Sequence, residues 1–386
     1  MRLIRLRSIA LATVLSLALV ACGGGEDGDT TDPAPSDEET DAEEPDAEEE
    51  PAEEEEEEDA EAEDDEGAAA GDGDYIIGVS NTLVGNGWRE QMICAVQAQS
   101  AASGLVSEVV VANRNGGPTE QLADMQNLIS QGVDAIIVNP SDREALDPVI
   151  DAAAEQGIVV VSVDQAVTSE NAYVATNDQV AVGRIGAEWL FEQMGGEGDV
   201  LYMRGIDGVP ADADRDQGFR EVLEDYPDIN IISEVYTGWD YSQAGQQALD
   251  IFGTQEVDGV WTSGTDYTVV NAMETAGHPL VPLVGQDTNE FVNQILNMHP
   301  DFVGAVATNP AAIGAVGTDV ALRVLQGEDV ERETMLTPEI LDFEGDQELL
   351  EELYLPDRDA TFPVQAQVEP FTTYTNEELF ACEGPS

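Results

Sequence analysis

Short apolar runs rich in Val and Ile alternate with longer amphipathic stretches from Tyr75 onward. The runs are almost continuously apolar, which is typical of parallel strands buried on both faces. Their alternation with helical patterns predicts βαβ units and a doubly wound parallel sheet. The predicted strands are Tyr75–Ser80, Val106–Val111, Ala135–Val138, Ile158–Val163 and Ala172–Thr176, with helices near 88–103, 117–131, 142–156 and 178–195.

A second series of the same kind follows the first. Its predicted strands are Val200–Met203, Ile229–Val235, Gly259–Thr262, Leu280–Val284 and Val303–Ala307, with helices near 213–225, 241–253, 267–276, 289–297 and 310–326. Two series in one chain predict an α/β protein with two similar doubly wound parallel-sheet lobes. Ligands of such sheets bind at the loops that follow the carboxyl ends of the strands.

The first 21 residues have the pattern of a secretory signal peptide. Arg2, Arg5 and Arg7 precede an apolar run over 9–20, which is followed by small residues and Cys22. Cys22 resembles the lipobox cysteine of bacterial lipoproteins, whose thiol is lipidated and becomes the new N-terminus. The sequence therefore predicts an extracytoplasmic protein held on the membrane by a lipid. An ordinary signal peptide with an incidental cysteine is the alternative.

Residues 22–74 are dominated by Glu, Asp, Ala and Pro, and the stretch from Gly23 to Asp74 contains 28 acidic residues and no base. Such a segment lacks the apolar residues that a packed core needs, and its charges repel one another. We expect a disordered acidic tether between the lipid and the body. A specific acidic binding tail is the alternative.

The body is acidic as well. Outside the tether and the signal peptide there are 53 acidic residues and ten arginines, a charge near −43, and the chain contains no Lys. We interpret this as halophilic adaptation, because salt screens the repulsion between dense carboxylates that keep a protein soluble. A mildly acidic exported protein is the alternative. Nucleic acid is excluded as a partner by the charge.

Cysteine and histidine are scarce. Cys94 and Cys382 are either joined in a disulfide, which an oxidising compartment permits, or remain two separate buried thiols. Their spacing gives no metal signature, and only His278 and His299 are present, so we expect no metal, no cofactor and no catalytic residues. A Gly-x-Ser-x-Gly elbow and a Walker-type loop are absent from the sequence, so an enzyme is disfavoured.

Polar and aromatic residues follow the predicted strands in an ordered way. The stretches concerned are Ala135–Asp142, Val159–Gln165, Asp214–Phe219, Leu283–Asp287 and Val306–Gly314. In their order and spacing these stretches resemble the periplasmic binding proteins of the ribose-binding type, the solute receptors of ABC importers for simple sugars. The resemblance covers residues 75 to 336.

The resemblance implies two lobes joined by three crossing segments near residues 177, 308 and 337, with a ligand clamped between them. The N-terminal lobe would comprise 75–177 and 309–336, the C-terminal lobe 178–308, and the extension 337–386 would pack on the lobes. The implied protein is a monomer that binds a small sugar or polyol and docks on an ABC permease.

The resemblance also implies the ligand residues. Trp88 and Trp239 fall where aromatic rings sandwich a sugar, and the hydroxyl-binding positions are Asn139, Asp164, Arg215 and Asp287, with Asn86, Thr265 and Thr308 as further polar positions. Carboxylate and amide oxygens accept from hydroxyls and Arg supplies a fixed fork of donors, which suits a sugar rim.

Each of these residues also has a purely structural interpretation. Asp164 and Asp287 are suited to cap the helices after them, and Arg215 to pair with Asp212 or Asp216. Asn139 suits a turn and the two tryptophans suit a core. Trp261 is predicted to be core.

Three positions depart from the ribose binder. Gly87-Trp88 replaces its paired aromatic residues, Gln165 replaces an Arg, and Thr265 replaces an Asn. The resemblance therefore leaves a pentose, a hexose and a polyol as ligands. Presentation of the ligand to a chemoreceptor or sensor kinase is the alternative function, whereas a gene regulator of this fold would not carry an export signal.

Overall fold

The computed structural model describes residues 73–382. The predicted signal peptide, Cys22 and nearly all of the acidic tether lie outside the described residues. No helix in the described range is both long enough and apolar enough to cross a membrane.

Twelve strands form two six-stranded sheets in the described range. The N-terminal sheet has the order β11-β5-β4-β3-β1-β2 and the C-terminal sheet the order β12-β10-β9-β8-β6-β7. The strands are β1 Tyr75–Asn81, β2 Val106–Asn113, β3 Ala135–Val138, β4 Val159–Val163, β5 Ala172–Asn177, β6 Glu197–Arg204, β7 Asp228–Tyr236, β8 Gly259–Thr262, β9 Leu283–Gly285, β10 Gly304–Ala307, β11 Glu333–Leu336 and β12 Ile340–Asp342.

Eleven helices accompany these strands. They are α1 Gly87–Ser103, α2 Pro118–Ser130, α3 Asp147–Ala154, α4 Gln179–Gln193, α5 Pro210–Leu223, α6 Tyr241–Phe252, α7 Asp266–Ala276, α8 Asn289–Met298, α9 Ile313–Leu325, α10 Phe343–Leu353 and α11 Asn376–Phe380. Side chains of Asn86, Asp178 and Asp240 cap α1, α4 and α6. These caps fix where three helices begin, directly after the loops that line the cleft.

The predicted α/β architecture of two parallel-sheet lobes is confirmed, with one antiparallel addition. Strand pairs such as β1–β3 are parallel, and β12 joins β10 antiparallel. The sequence pattern missed β11 and β12 because they are only four and three residues long and lie at sheet edges. Helix α3 begins five residues later than predicted, because the Asp142 carboxylate accepts from the backbone N–H groups of Glu144 and Ala145 and forms a turn first.

The chain passes between the two sheets three times. Strand β5 belongs to the N-terminal sheet and α4 packs on the C-terminal sheet, so the first crossing is at residue 178. The second crossing, over 308–312, leads from β10 to α9, which packs on α1 and β4. The third crossing, over 337–339, leads from β11 to β12. These crossings bring the carboxyl ends of both sheets to one cleft.

Separate apolar clusters hold each lobe together. Ile77, Ile137 and Val316 are fully buried in the N-terminal lobe, and Met203 and Phe291 are fully buried in the C-terminal lobe. Trp261 packs against Tyr202 and Phe219, which confirms its prediction as core. The lobes therefore have their own cores, and the cleft between them is free to serve as a site.

Candidate functional site

A cavity lies between the lobes at the carboxyl ends of both sheets. Six of the nine predicted ligand residues line it: Asn86, Trp88, Asp164, Arg215, Trp239 and Asp287. Eight further residues complete the lining: Arg89, Tyr241, Ser263, Gly264, Gln286, Thr288, Asn309 and Pro363. The fold thus gathers residues that are as far apart in sequence as 86 and 363.

Trp239 is held in an unusual backbone conformation. Its φ is +52°, and its ring lies so close to Gly205 that a Cβ on Gly205 would overlap the indole. The indole Nε1 donates to Ser263 Oγ at 3.2 Å, and the carbonyl accepts from Asn86 Nδ2 at 3.1 Å. A positive φ in a bulky residue costs free energy, and such strain clusters at functional sites. The strained backbone and these two hydrogen bonds therefore hold the ring at the cavity wall.

Trp88 is half-buried at the first turn of α1. It lines the cavity and also packs against the N-terminal lobe. Its Nε1 donates to the carbonyl of Asn309 at 2.6 Å, and its ring packs against the core of the N-terminal lobe. The guanidinium carbon of Arg89 lies 6.0 Å from the Trp88 ring centroid and 5.8 Å from that of Trp239. Both tryptophans therefore flank the same charged group in the cavity.

Arg89 is the main site residue that the sequence reasoning missed. It is 5% exposed and donates to Asn81 Oδ1 at 3.2 Å. Burial lowers its pKa to about 10, so the guanidinium stays charged at neutral pH. One signal was available in the sequence: a cation in the first turn of a helix opposes the helix dipole, so its presence there favours a functional reason.

Asp164, Gln179 and Arg215 form a chain of contacts across the cleft. Asp164 has φ +66° and accepts from Gln179 Nε2 at 2.7 Å, and Gln179 Oε1 accepts from Arg215 Nε at 2.8 Å. Arg215 Nη1 also donates to Ser263 Oγ at 2.8 Å. Burial raises the pKa of Asp164, while Arg89 and Arg215 act to lower it. Burial lowers the pKa of Arg215.

These contacts decide two of the structural alternatives. Arg215 does not pair with Asp212, which binds Arg204 instead at 2.6 Å. Asp164 lies in the β4–β5 loop and caps no helix, and the residue before α8 is Thr288 rather than Asp287. The carboxylates and the guanidinium are thus turned to the cavity rather than used by a helix or an ion pair.

Asp287 is 1% exposed and carries an unused acceptor. Its Oδ1 is buried and has no hydrogen-bond partner among residues 73–382. Burial raises its pKa to about 7, against the lowering effect of nearby backbone N–H groups. A buried acceptor without a donor is costly, so the site is suited to a ligand hydroxyl at this position.

The cavity is balanced in formal charge. Two arginines, Arg89 and Arg215, face two carboxylates, Asp164 and Asp287. This arrangement offers both donors and acceptors, which suits a neutral molecule with many hydroxyls. The structure offers no cluster of three or more metal-ligating side chains within 73–382.

Three predicted ligand residues lie off the cavity lining. Asn139 is buried behind Asp164, and its Oδ1 accepts from Gln165 Nε2. The Thr265 hydroxyl is 3.0 Å from that of Thr262, and the Thr308 hydroxyl accepts from the Glu339 backbone at 2.8 Å in the hinge. The structure therefore places these side chains in supporting positions.

The lobes touch each other around the cavity. Besides the Asn86–Trp239 bond, Gln165 Oε1 accepts from Ala211 N at 2.9 Å, and Arg143 binds Asp214 at 2.7 Å. Gln165, where the sequence departs from the ribose binder, thus joins the two lobes and does not line the cavity. These contacts belong to a closed arrangement of the cleft.

Known proteins share this sequence and architecture. Residues 77–329 match the family described as periplasmic binding protein domain. A xylitol-binding protein from Mycolicibacterium smegmatis is 30% identical over 230 residues, covering 58% of this chain and 65% of that protein. A ribose import binding protein from Escherichia coli is 26% identical over 238 residues, covering 61% of this chain and 80% of that protein.

Solved structures agree with the fold. An ABC transporter solute-binding protein from Thermobispora bispora has a TM-score of 0.65 at 25% identity, covering 72% of this chain and 94% of that one. A solute-binding protein from Mycobacterium smegmatis with bound glycerol has a TM-score of 0.66 at 24% identity, covering 75% and 99%. With the two lobes, the shared cleft and the match over 77–329, the chain belongs to the periplasmic binding protein family, as its sequence motifs indicated.

Proposed function

We propose that this protein captures a simple sugar or polyol between its lobes and delivers it to an ABC import permease. The observation that carries the proposal is the cavity between the lobes, in which two tryptophans, two arginines and two aspartates surround one space. Aromatic faces suit the C–H groups of a sugar, and paired donors and acceptors suit its hydroxyls. The names of the relatives, which bind xylitol and ribose, agree with a small polyhydroxylated ligand.

A thermal-shift screen of monosaccharides and polyols at high salt tests the proposal, followed by calorimetry of each hit. We expect at least one neutral pentose, hexose or polyol to raise the melting temperature, because a ligand that binds only the folded state stabilises it. Charged sugar acids serve as the control class. A screen in which only sugar acids bind, or none of the neutral compounds, would contradict the proposal.

Recovery of the bound compound distinguishes a receptor from an enzyme. Mass spectrometry after long incubation should return the same sugar in unchanged amount. Accumulation of a product would favour an enzyme instead.

The membrane anchor belongs to the same proposal. The n-region arginines, the apolar run and Cys22 support a lipoprotein, with the acidic segment as a tether of about 50 residues that lets the body reach a permease. Mass spectrometry of the mature N-terminus should find a diacylglyceryl group on Cys22, and Cys22→Ser should release the protein from membranes. A soluble wild-type protein with an unmodified cysteine would contradict the anchor.

The partner can be tested directly. With the monomeric protein and a permease reconstituted in vesicles, ATP hydrolysis should rise when the sugar is present. The alternative partner is a sensor kinase, for which a fructose-binding periplasmic domain of a hybrid two-component system supplies the same fold at 19% identity and a TM-score of 0.64. Sugar-dependent autophosphorylation of a kinase without permease stimulation would favour that alternative.

We also propose that the body is adapted to high salt. The support is its charge near −43 with only ten arginines and no Lys. Self-repulsion of this size destabilises a compact state unless ions screen it.

A further inference from the structure

The last described part of the chain, residues 355–382, forms a strap that touches both lobes. It leaves the C-terminal lobe after α10 and ends at Cys382, which is bonded to Cys94 on α1. The disulfide resolves the alternative that the sequence left open. The strap therefore connects the lobes a fourth time, in addition to the three crossings.

The first part of the strap is hydrogen-bonded to the C-terminal lobe. Asn289 at the start of α8 donates through Nδ2 to the Leu355 carbonyl at 2.8 Å and accepts from Leu355 N at 2.9 Å. Its own N–H donates to the Phe362 carbonyl at 2.8 Å. These bonds hold the strap to α8, which begins two residues after Asp287.

Next the strap passes along the cavity. Val364 N donates to the Asp287 carbonyl at 2.8 Å, and Gln365 N donates to Asp287 Oδ2 at 3.4 Å. From the other lobe, Gln91 Nε2 donates to the Pro363 carbonyl at 3.0 Å, while Pro363 itself lines the cavity. Three consecutive residues thus contact both lobes and hold a carboxylate of the site.

The strap also occupies space beside Trp88. A Cβ on Gly87 would lie 2.6 Å from the Thr361 carbonyl oxygen, closer than atoms can pack. The absence of a side chain at residue 87 leaves room for Thr361, and two residues later the strap contributes Pro363 to the cavity wall.

The strap finally locks onto the N-terminal lobe. Tyr374 and Leu379 are buried against the small residues of α1 and α9, and Thr373 N donates to Gln99 Oε1 at 2.9 Å. The Cys94–Cys382 bond closes this packing covalently. Anchors on both lobes keep the cavity segment 363–365 from moving away.

Building on the sugar-binding function proposed above, we propose that the strap is a specificity-determining wall of the cleft. It positions Asp287, contributes Pro363 to the cavity wall and, through the disulfide, keeps the site organised before the ligand binds. Pre-organisation raises affinity because less ordering is left for the binding step. Releasing the strap should therefore weaken binding and relax the discrimination between ligands of different size.

The test compares two ways of releasing the strap in the full chain. Gly87→Ala pushes Thr361 away with the disulfide intact, and Cys94→Ser/Cys382→Ser removes the covalent anchor. Calorimetry with xylitol and with ribose should show affinity at least about tenfold weaker in both variants, with a changed ratio between the two probes. Gly245→Ala, inside α6, where the added Cβ meets Thr268 at an ordinary 3.5 Å, is the matched control with wild-type affinity.

Hydrogen exchange supplies a readout that does not need a ligand. Amides of 287–290 and 364–365 should exchange faster in both variants and in the wild type treated with a thiol reductant. Wild-type affinities for both probes in variants whose strap amides exchange rapidly would overturn the proposal. If the wild type binds neither probe, two ligands of different size from the thermal-shift screen take their place, and a wild type that binds no neutral sugar or polyol contradicts the sugar-binding function itself. Unchanged exchange at 287–290 after release would overturn the strap's positioning role by itself. Gln91→Ala, which removes one hydrogen bond to the strap, serves if the other variants fold poorly.

Discussion

The cleft and the outer surface use arginine in different ways. In the cleft, Arg89 and Arg215 are 5% and 4% exposed and bind neutral oxygens of Asn81, Gln179 and Ser263. On the surface, by contrast, Arg114, Arg184 and Arg323 pair with carboxylates and have side chains at least 40% exposed. Arginine is therefore a desolvated hydrogen-bond donor in the cleft and a solvated ion-pair partner on the surface.

The difference follows from solvation. A buried charge is costly unless other charges and hydrogen bonds compensate it, so the cleft balances two arginines with two carboxylates. On the surface, water and salt screen each charge, and a body charge near −43 is tolerated. The cleft is thus electrically unlike the protein that contains it, and a neutral ligand fits it.

Removing a cleft arginine should have the largest effect. Arg215→Met removes one of the two positive charges that act on Asp164 and removes the donors to Gln179 Oε1 and Ser263 Oγ. We expect sugar affinity to fall at least about a hundredfold, about 2.7 kcal/mol. Calorimetry with the sugar found in the screen measures it. Arg184→Met, which removes an exposed pair with Glu221, is the control and should bind as the wild type does. Similar losses in both variants would remove the distinction between cleft and surface.

Single contacts in the cleft should matter less. Trp239→Ala removes an aromatic face and Asp287→Ala removes an unpaired acceptor, and each should weaken affinity by about tenfold or more, about 1.4 kcal/mol. Trp239→Phe keeps a ring and should lose less than Trp239→Ala. Wild-type calorimetric affinity in both alanine variants would refute the site.

The pH dependence should identify Asp287. Its pKa of about 7 lies above the value of about 3.9 expected in the unfolded chain, so the folded protein holds an extra proton between these values. This group's contribution to stability is therefore present at low pH and is lost as pH rises toward 7. Ligand hydroxyls favour the carboxylate, so binding should release a proton near pH 7 and tighten a few-fold as pH rises.

Calorimetry in two buffers of different ionisation enthalpy detects that proton. Asp287→Asn should bind with the same enthalpy in both buffers. Buffer-independent binding by the wild type would show that Asp287 does not titrate with the ligand.

Salt should have the smallest effect of all on ligand affinity in the cleft. Through the surface charges, it should have a clear effect on the stability of the fold. Raising KCl from 0.1 M to 2 M should increase the melting temperature, because it screens the acidic exterior, and should change the dissociation constant by less than about threefold. An unchanged melting temperature over this range of salt would contradict the salt-adaptation proposal. A steep change in affinity with salt would mean that repulsion between the acidic surfaces of the two lobes opposes closure of the cleft.

Parts of the site were readable from the sequence and parts were not. The resemblance to the ribose-binding type named six residues that line the cavity: Asn86, Trp88, Asp164, Arg215, Trp239 and Asp287. Most of them lie in loops after predicted strands, where ligands of such sheets bind. Thr265 and Thr308 follow strands as well, yet their hydroxyls are used inside a turn and in the hinge. A strand-end position brings a residue near the cleft, but its neighbours decide where the side chain points.

Pro363 is a clearer case of a cavity residue that the hydrophobic pattern of the sequence does not predict. No periodicity marks it, and it reaches the cavity only because the strap is fixed to Asn289 on one lobe and to Cys94 on the other. Strands β11 and β12 are similar cases, since a three- or four-residue edge strand exists only when a sheet is present to pair with it.

The sequence by itself determined the two βαβ series, the family and most residues at the strand ends, because these depend on local periodicity and on motif order. The tertiary structure decided the disulfide, the strap, the place of Arg89 and the charge balance of the cleft. Burial, desolvation and the pairing of distant groups arise only when segments far apart in the chain are brought together, and no local pattern encodes them.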